Sequence, residues 1–251
     1  MAKASRPVRR HRRSGLPVPA RSIIYGWHSA LAALQNPERV IHGIYATANA
    51  ANRLADAGLV PSGLEIRDNR EIDRIAGDGA VHQGLAVICD PLPDRDLTGL
   101  EGAGLIVVLD QVTDPHNVGA IARSAAAFGA GALVMTARHG PEDTGVLAKA
   151  ASGGLEYLPV IRVANLARAL EQIADLGFLR AGLDSEHTET IESIGDTEKL
   201  ALVLGAEGKG LRRLTKEKCD RLVRLEMPGP IASLNVSNAA AIALYALTRR
   251  R

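Results

Sequence analysis

Six short runs dominated by Val, Leu and Ile, at 105–109, 132–136, 158–163, 178–183, 200–204 and 221–225, recur from residue 105 onward, with helical stretches between most of them. A strand that is apolar at almost every position has to be covered on both faces. Helices lying between such strands provide that cover when the strands run parallel. A last helix is expected over 236–248. This pattern confines the second part of the chain to an α/β fold with a mostly parallel sheet. Upstream the alternation is shorter: a helix at 28–35 closed by Asn36-Pro37, a strand at 40–47, a helix at 49–57, a strand at 64–67, a helix at 70–76 and a strand at 84–89. This describes a small α/β unit. Between the two, Pro91 and Pro93 followed by Gly99, Gly102 and Gly104 have the turn-rich composition of a linker. The expected division is an arm over 1–20, a small domain over 21–90, a linker over 91–104 and a larger domain over 105–251.

In open α/β sheets ligands bind beyond the carboxyl ends of the strands, and three post-strand loops are rich in Gly, Pro and polar residues. The first runs from Asp110 to Asn117 and continues as Val-Gly-Ala-Ile-Ala-Arg123. Asn117 is placed as the N-cap of the following helix and Arg123 about one and a half turns into it. The second is Gly205-Ala-Glu207-Gly208-Lys209-Gly210, whose glycines let backbone approach a ligand closely. It follows neither the G-x-G-x-x-G order nor a Walker loop. The third, from Met227 through Ser233, Leu234, Asn235 and Ser237, ends where the last helix starts. All three lie at one sheet edge, which suits a nucleotide-like ligand; singly, each polar residue also reads as a cap or turn group.

The order and spacing of these loops resemble the three motifs of the SpoU-type RNA 2′-O-methyltransferases, in the SPOUT class. Asn117 to Arg123 matches the first motif, Leu204 to Gly208 the second and Met227 to Ser237 the third. Tyr25-Gly26, His82-Gln83-Gly84 and the stretch 155–159 are similar to the branch that methylates a guanosine of large-subunit (23S) ribosomal RNA, with 21–90 as its substrate-binding domain. The resemblance implies S-adenosylmethionine as cofactor, a homodimer and a C-terminal trefoil knot. It also implies cofactor contacts from Gly205, Leu225, Met227 and Leu234, and a polar catalytic set of Arg123, Asn117, Glu207, Ser233 and Asn235. Glu226 and Asn238 depart from the family pattern; Glu226 places a charge beside the expected cofactor loop.

Charge adds a partner. No acid precedes Glu38, whereas Lys3, Arg6, Arg9, Arg10, Arg12, Arg13 and Arg21 do; removing those seven from the 30 Lys and Arg leaves 23 bases against 28 acids. Arg9, Arg10, Arg12 and Arg13 fit a nucleic-acid arm that displaces counterions. A solvated tail or a transit peptide are the other readings of the same residues. Lys209, Arg212 and Arg213, with Lys216 and Lys218, suggest a phosphate-contacting face beside the second loop, although Glu217 and Asp220 interleave as on an ordinary solvated helix. Cys89 and Cys219 have no partner at zinc-ligand spacing, so no metal is expected. No run reaches the roughly 18 apolar residues of a membrane span. The bacterial cytoplasm is the expected location, with the mitochondrial matrix as the alternative. The competing functions are transfer-RNA guanosine 2′-O-methylation, non-catalytic RNA binding in assembly, and nicotinamide-dependent dehydrogenation; the missing G-x-G-x-x-G counts against the last.

Overall fold

The computed structural model describes residues 21–77, 79–138, 145–231 and 233–249; Arg9, Arg10, Arg12 and Arg13 lie outside the described residues. From Leu105 onward, six strands form one all-parallel sheet: β5 (Leu105–Asp110), β6 (Ala132–Thr136), β7 (Val160–Val163), β8 (Leu179–Leu183), β9 (Leu200–Gly205) and β10 (Arg221–Val223), in the order β10-β8-β9-β5-β6-β7. The reason β5 is apolar throughout is visible in its alternation. Leu105, Val107 and Leu109 join one buried cluster, and Ile106 and Val108 the other. The first cluster is closed by α4 (Pro115–Ala127), α5 (Gly145–Ala151) and α8 (Val236–Thr248), the second by α6 (Leu166–Asp175). Leu100, fully buried in a 3-10 turn at Leu97–Leu100, also belongs to the second cluster, and Arg95 bridges to Ile161. The segment expected as a linker is therefore packed along the sheet.

The N-terminal sheet is mixed: β1 (Ser22–Tyr25) and β2 (Ile41–Ala46) both pair antiparallel with β4 (Leu85–Cys89), and β3 (Leu64–Ile66) runs parallel to β2. Three helices accompany it, α1 (Trp27–Gln35), α2 (Ala48–Asp56) and α3 (Asn69–Ala76). Strand β1 was not expected from sequence. Four residues are too few to show a period, and β1 is defined only by pairing with β4 far along the chain. The expected strands at 158–163 and 221–225 are shorter, β7 beginning at Val160 and β10 ending at Val223.

The two units share one core, because Trp27, Ala30 and Ala33 of α1 belong to the same cluster as Leu147, Ala148 and Ala151 of α5. At the joint, Ser29 Oγ donates to the Ala148 carbonyl at 2.9 Å. The Arg39 and Glu156 side chains are only 1% and 3% exposed; Arg39 Nη2 meets Oε1 at 2.8 Å and Nε meets Oε2 at 3.0 Å. Asn36 Nδ2 donates to the same carboxylate at 2.8 Å and Arg39 Nη1 to the Asp90 carbonyl at 2.9 Å, so the buried charges are extensively hydrogen-bonded.

Candidate active site

Because β5 and β9 are parallel neighbours with Asp110 opposite Gly205, the turns that follow them leave the sheet side by side. The first turn passes through Gln111, in the left-handed region at φ 58, and enters α4. Asp114, not Asn117, is the N-cap: its side chain accepts from His116 N, and Pro115 takes the first helical position, where no N–H is needed. The helix thus begins a turn earlier than expected. Asn117 projects from its first turn and Arg123 lies more than two turns in.

The second turn folds back on its own strand. A Cβ at Gly205 would meet Gly210 C at 2.1 Å, so only glycine permits the approach, and Ala206 and Gly210 exchange backbone bonds of 3.2 and 2.8 Å. This leaves Glu207 near the tip of a tight loop. Its C-terminal leg is fastened by the fully buried Asp110 carboxylate, which accepts from Arg212 N at 2.9 Å and Arg212 Nε at 2.6 Å.

Asn235 supplies the third element as N-cap of α8. Its Oδ1 accepts from Ser237 N at 2.9 Å and Ser237 Oγ at 2.6 Å, which fixes the amide orientation and leaves Nδ2 to donate. Nδ2 reaches Asn117 Oδ1 at 3.1 Å and Glu207 Oε2 at 3.3 Å, and Asn117 Nδ2 reaches the same Glu207 oxygen at 3.4 Å. Each of the three loops thus contributes one corner of a closed polar triangle. Replacing Asn235 by Ala removes a cap and two corners' hydrogen bonds together. Unfolding should show a loss of about 1 kcal/mol, accompanied by slower turnover; wild-type stability would contradict the capping role.

A cavity of about 470 Å³ borders this triangle, within the roughly 300–1,000 Å³ of small-molecule sites. Gly205, Leu225, Met227 and Leu234 line it, as do Glu207, Ser233 and Asn235. Leu183, Asp184 and Ser185, beyond β8, line it too and were missed from sequence. The available signal was that β8 ends at the same sheet edge as its neighbour β9. Burial pushes the Asp184 carboxyl up, but hydrogen bonds from Lys216 and the Glu186 N–H, with the Lys216 charge, outweigh it and hold the group below its ordinary value. Two carboxylates and no Lys or Arg among the described lining residues suit a ligand carrying positive charge, such as a sulfonium. Glu226 is exposed and does not line the cavity. Burial pushes the Cys219 thiol up to about 12, so it is no thiolate nucleophile.

Arg123 is not drawn into the triangle. It is exposed on α4 and its side chain makes no hydrogen bond or ion pair with the described residues. Its backbone lies against Gly154, where a Cβ would stand 3.0 Å from the Arg123 Cα, and the adjacent Gly153 packs on His28 and Ala32 of α1. Lys209 and Arg213 are exposed; Arg213 pairs with Glu217 at 2.5 Å.

Two family models match the chain in sequence order. Residues 23–95 match the RNA 2′-O ribose methyltransferase substrate-binding domain and residues 104–245 the SpoU rRNA methylase family. The 23S rRNA (guanosine-2′-O-)-methyltransferase RlmB of Ralstonia nicotianae is 37% identical over 91% of this chain and 96% of its own length; its counterpart in Pasteurella multocida is 38% identical over 91% and 98%. In fold, the chain is similar to the SpoU methyltransferase AviRb of Streptomyces viridochromogenes in complex with AdoMet, with a TM-score of 0.75 at 22% identity over 91% of this chain and 89% of that one. It is likewise similar to the AdoMet-bound rRNA methyltransferase of Sinorhizobium meliloti, with a TM-score of 0.72 at 22% identity over 91% and 87%. Two models matched in order, and relatives similar along nearly their whole length, place the three loops in one lineage: the chain belongs to the SpoU rRNA methylase family.

Proposed function

We propose that this chain transfers the methyl group of S-adenosylmethionine to the ribose 2′-OH of a guanosine in 23S ribosomal RNA. The observation that carries this reading is the Asn117–Glu207–Asn235 triangle beside a cavity lined by carboxylates and closely approaching backbone. S-adenosylmethionine, when bound, supplies an electrophilic methyl on a sulfonium. Gly205, Leu225, Met227 and Leu234 hold it, and Asn117, Asn235 and Ser233 orient the ribose beside it, with Glu207 fixing both amides. Positioning contributes a large part of the rate. Arg123 binds the phosphate flanking the ribose and stabilises negative charge developing on the 2′-oxygen, while the proton leaves to water or phosphate. A guanidinium keeps its own proton in this role.

In the proposed division, the arm over 1–20, with Arg9, Arg10, Arg12 and Arg13, contacts RNA phosphates together with Lys209, Arg212 and Arg213. The domain over 21–90 binds RNA, 91–104 connects, and 105–251 carries the catalytic site and the family's knot. A homodimer in the bacterial cytoplasm completes the reading. Half-exposed Ile242 and Tyr245 on α8, the latter edge-on to Phe128 of α4 at 6.2 Å, offer an apolar face for a second copy. No helix among the described residues is long and apolar enough to cross a membrane.

The test is transfer of tritiated methyl from S-adenosylmethionine to undermodified ribosomal and transfer RNA, with the product checked for the alkali resistance of a 2′-O-methyl linkage. Label in 23S RNA is expected. Label confined to transfer RNA would move the substrate, and RNA binding without label would leave a non-catalytic binding protein.

A further inference from the structure

The segments Tyr25-Gly26 and His82-Gln83-Gly84 take no part in the methyl-transfer site, yet the fold brings them together. His82 Nδ1 accepts from Gly84 N at 2.9 Å, which leaves Nε2 to donate to Asp73 at 3.0 Å and pins the loop before β4. Gln83 is held at φ 54, and its Oε1 accepts from Trp27 N and from Lys149 Nζ, each at 3.0 Å. The loop is thereby tied both to the start of α1 and to α5 of the catalytic domain. Since α5 packs against α4, which carries Asn117 and Arg123, whatever this loop holds has a defined place relative to the methyl-transfer site.

Between the loop, α2 and the start of α3 lies an open depression of about 530 Å³. Arg53 lines it, and its guanidinium, stacked over the buried Trp27 ring at 3.8 Å from the centroid, makes no hydrogen bond or ion pair with the described residues. Stacking places this cation in advance while leaving its in-plane N–H donors for a phosphate. Asn49 and Asn69 are exposed on the same lining, Val81 is 66% exposed at it, and no Asp or Glu among the described residues contributes to it. Planar amides beside an unpaired cation and an apolar contact are the groups that recognise an unstacked nucleotide: the amides its base edge, the arginine its phosphate.

We infer that this depression is a second RNA subsite, which holds an unpaired nucleotide other than the one methylated, with Arg53 on its phosphate and Asn49 and Asn69 on its base. The inference rests on the functional reading above and names where the substrate RNA is gripped. The full-length protein and its Arg53→Met, Asn49→Ala and Arg74→Met variants are compared on one 23S RNA fragment. Met keeps an apolar stem over Trp27, and Arg74 is an exposed arginine of α3 that does not line the depression. For Arg53→Met the RNA KM should rise about tenfold and the salt slope of RNA binding fall by about one, as for a lost phosphate contact. Asn49→Ala should raise KM by roughly fivefold with no change in slope. Calorimetric affinity for S-adenosylmethionine should be that of the wild type in both. Unchanged KM and slope in these two variants, with the wild type methylating the fragment, overturn the subsite alone; so does an equal loss in Arg74→Met. A wild type that neither binds nor methylates the RNA overturns the functional reading and the subsite with it.

Discussion

Arg123→Ala should lower kcat by about 10³-fold, the scale of removing one preorganised group that stabilises transition-state charge, while the affinity for S-adenosylmethionine stays unchanged. The argument is one of availability. Asn117, Glu207 and Asn235 satisfy one another, and Arg212 Nε and its backbone N–H are directed at Asp110, whereas the Arg123 guanidinium has no partner among the described residues and sits on the helix that presents Asn117. Lacking an acceptor among the described residues, it is available to bind phosphate. Single-turnover methylation at saturating RNA separates the two roles: a loss confined to RNA affinity would make Arg123 a binding group only, and full turnover with intact RNA binding would remove it from the mechanism.

The largest effect on stability is expected from Glu156→Ala. The substitution leaves the buried Arg39 guanidinium without its carboxylate and Asn36 Nδ2 with only the backbone carbonyl of residue 156 at 3.4 Å, and breaking one partner of a buried pair costs about 3–5 kcal/mol. Because the pair spans the joint between the N-terminal and catalytic units, chemical unfolding should shift to lower denaturant and the two units should lose their common transition. Joint replacement, Arg39→Met with Glu156→Leu, should recover much of the loss, since no uncompensated charge remains. A Glu156→Ala midpoint near that of the wild type would mean that solvent reaches the joint.

The parallel sheet was legible because its cause is local. Strands apolar on both faces, such as 105–109 and 200–204, announce cover on both sides whatever their neighbours are. The three loops were legible as a group for a related reason: parallel strands end at one edge, so Gly205, Glu207, Ser233 and Asn235 had to collect near Asn117. Spacing alone does not locate a helix start. Asn117 precedes an apolar-periodic run, and spacing alone makes it a cap, but Asp114-Pro115 provides a side-chain acceptor and a residue without an N–H in the order that a helix start requires.

Sequence alone thus determined the fold class, which follows from periodicity, and the family, which follows from the resemblance of three ordered motifs. Tertiary structure decided the partners: Arg212 on Asp110, Arg39 on Glu156, Gln83 between Trp27 and Lys149, and Asp184 at the cavity wall. Each joins positions far apart along the chain. A charged or amide side chain takes the same form whether it is solvated, paired or poised for a ligand, and only the packing of the elements that carry it sets which groups come within hydrogen-bonding distance.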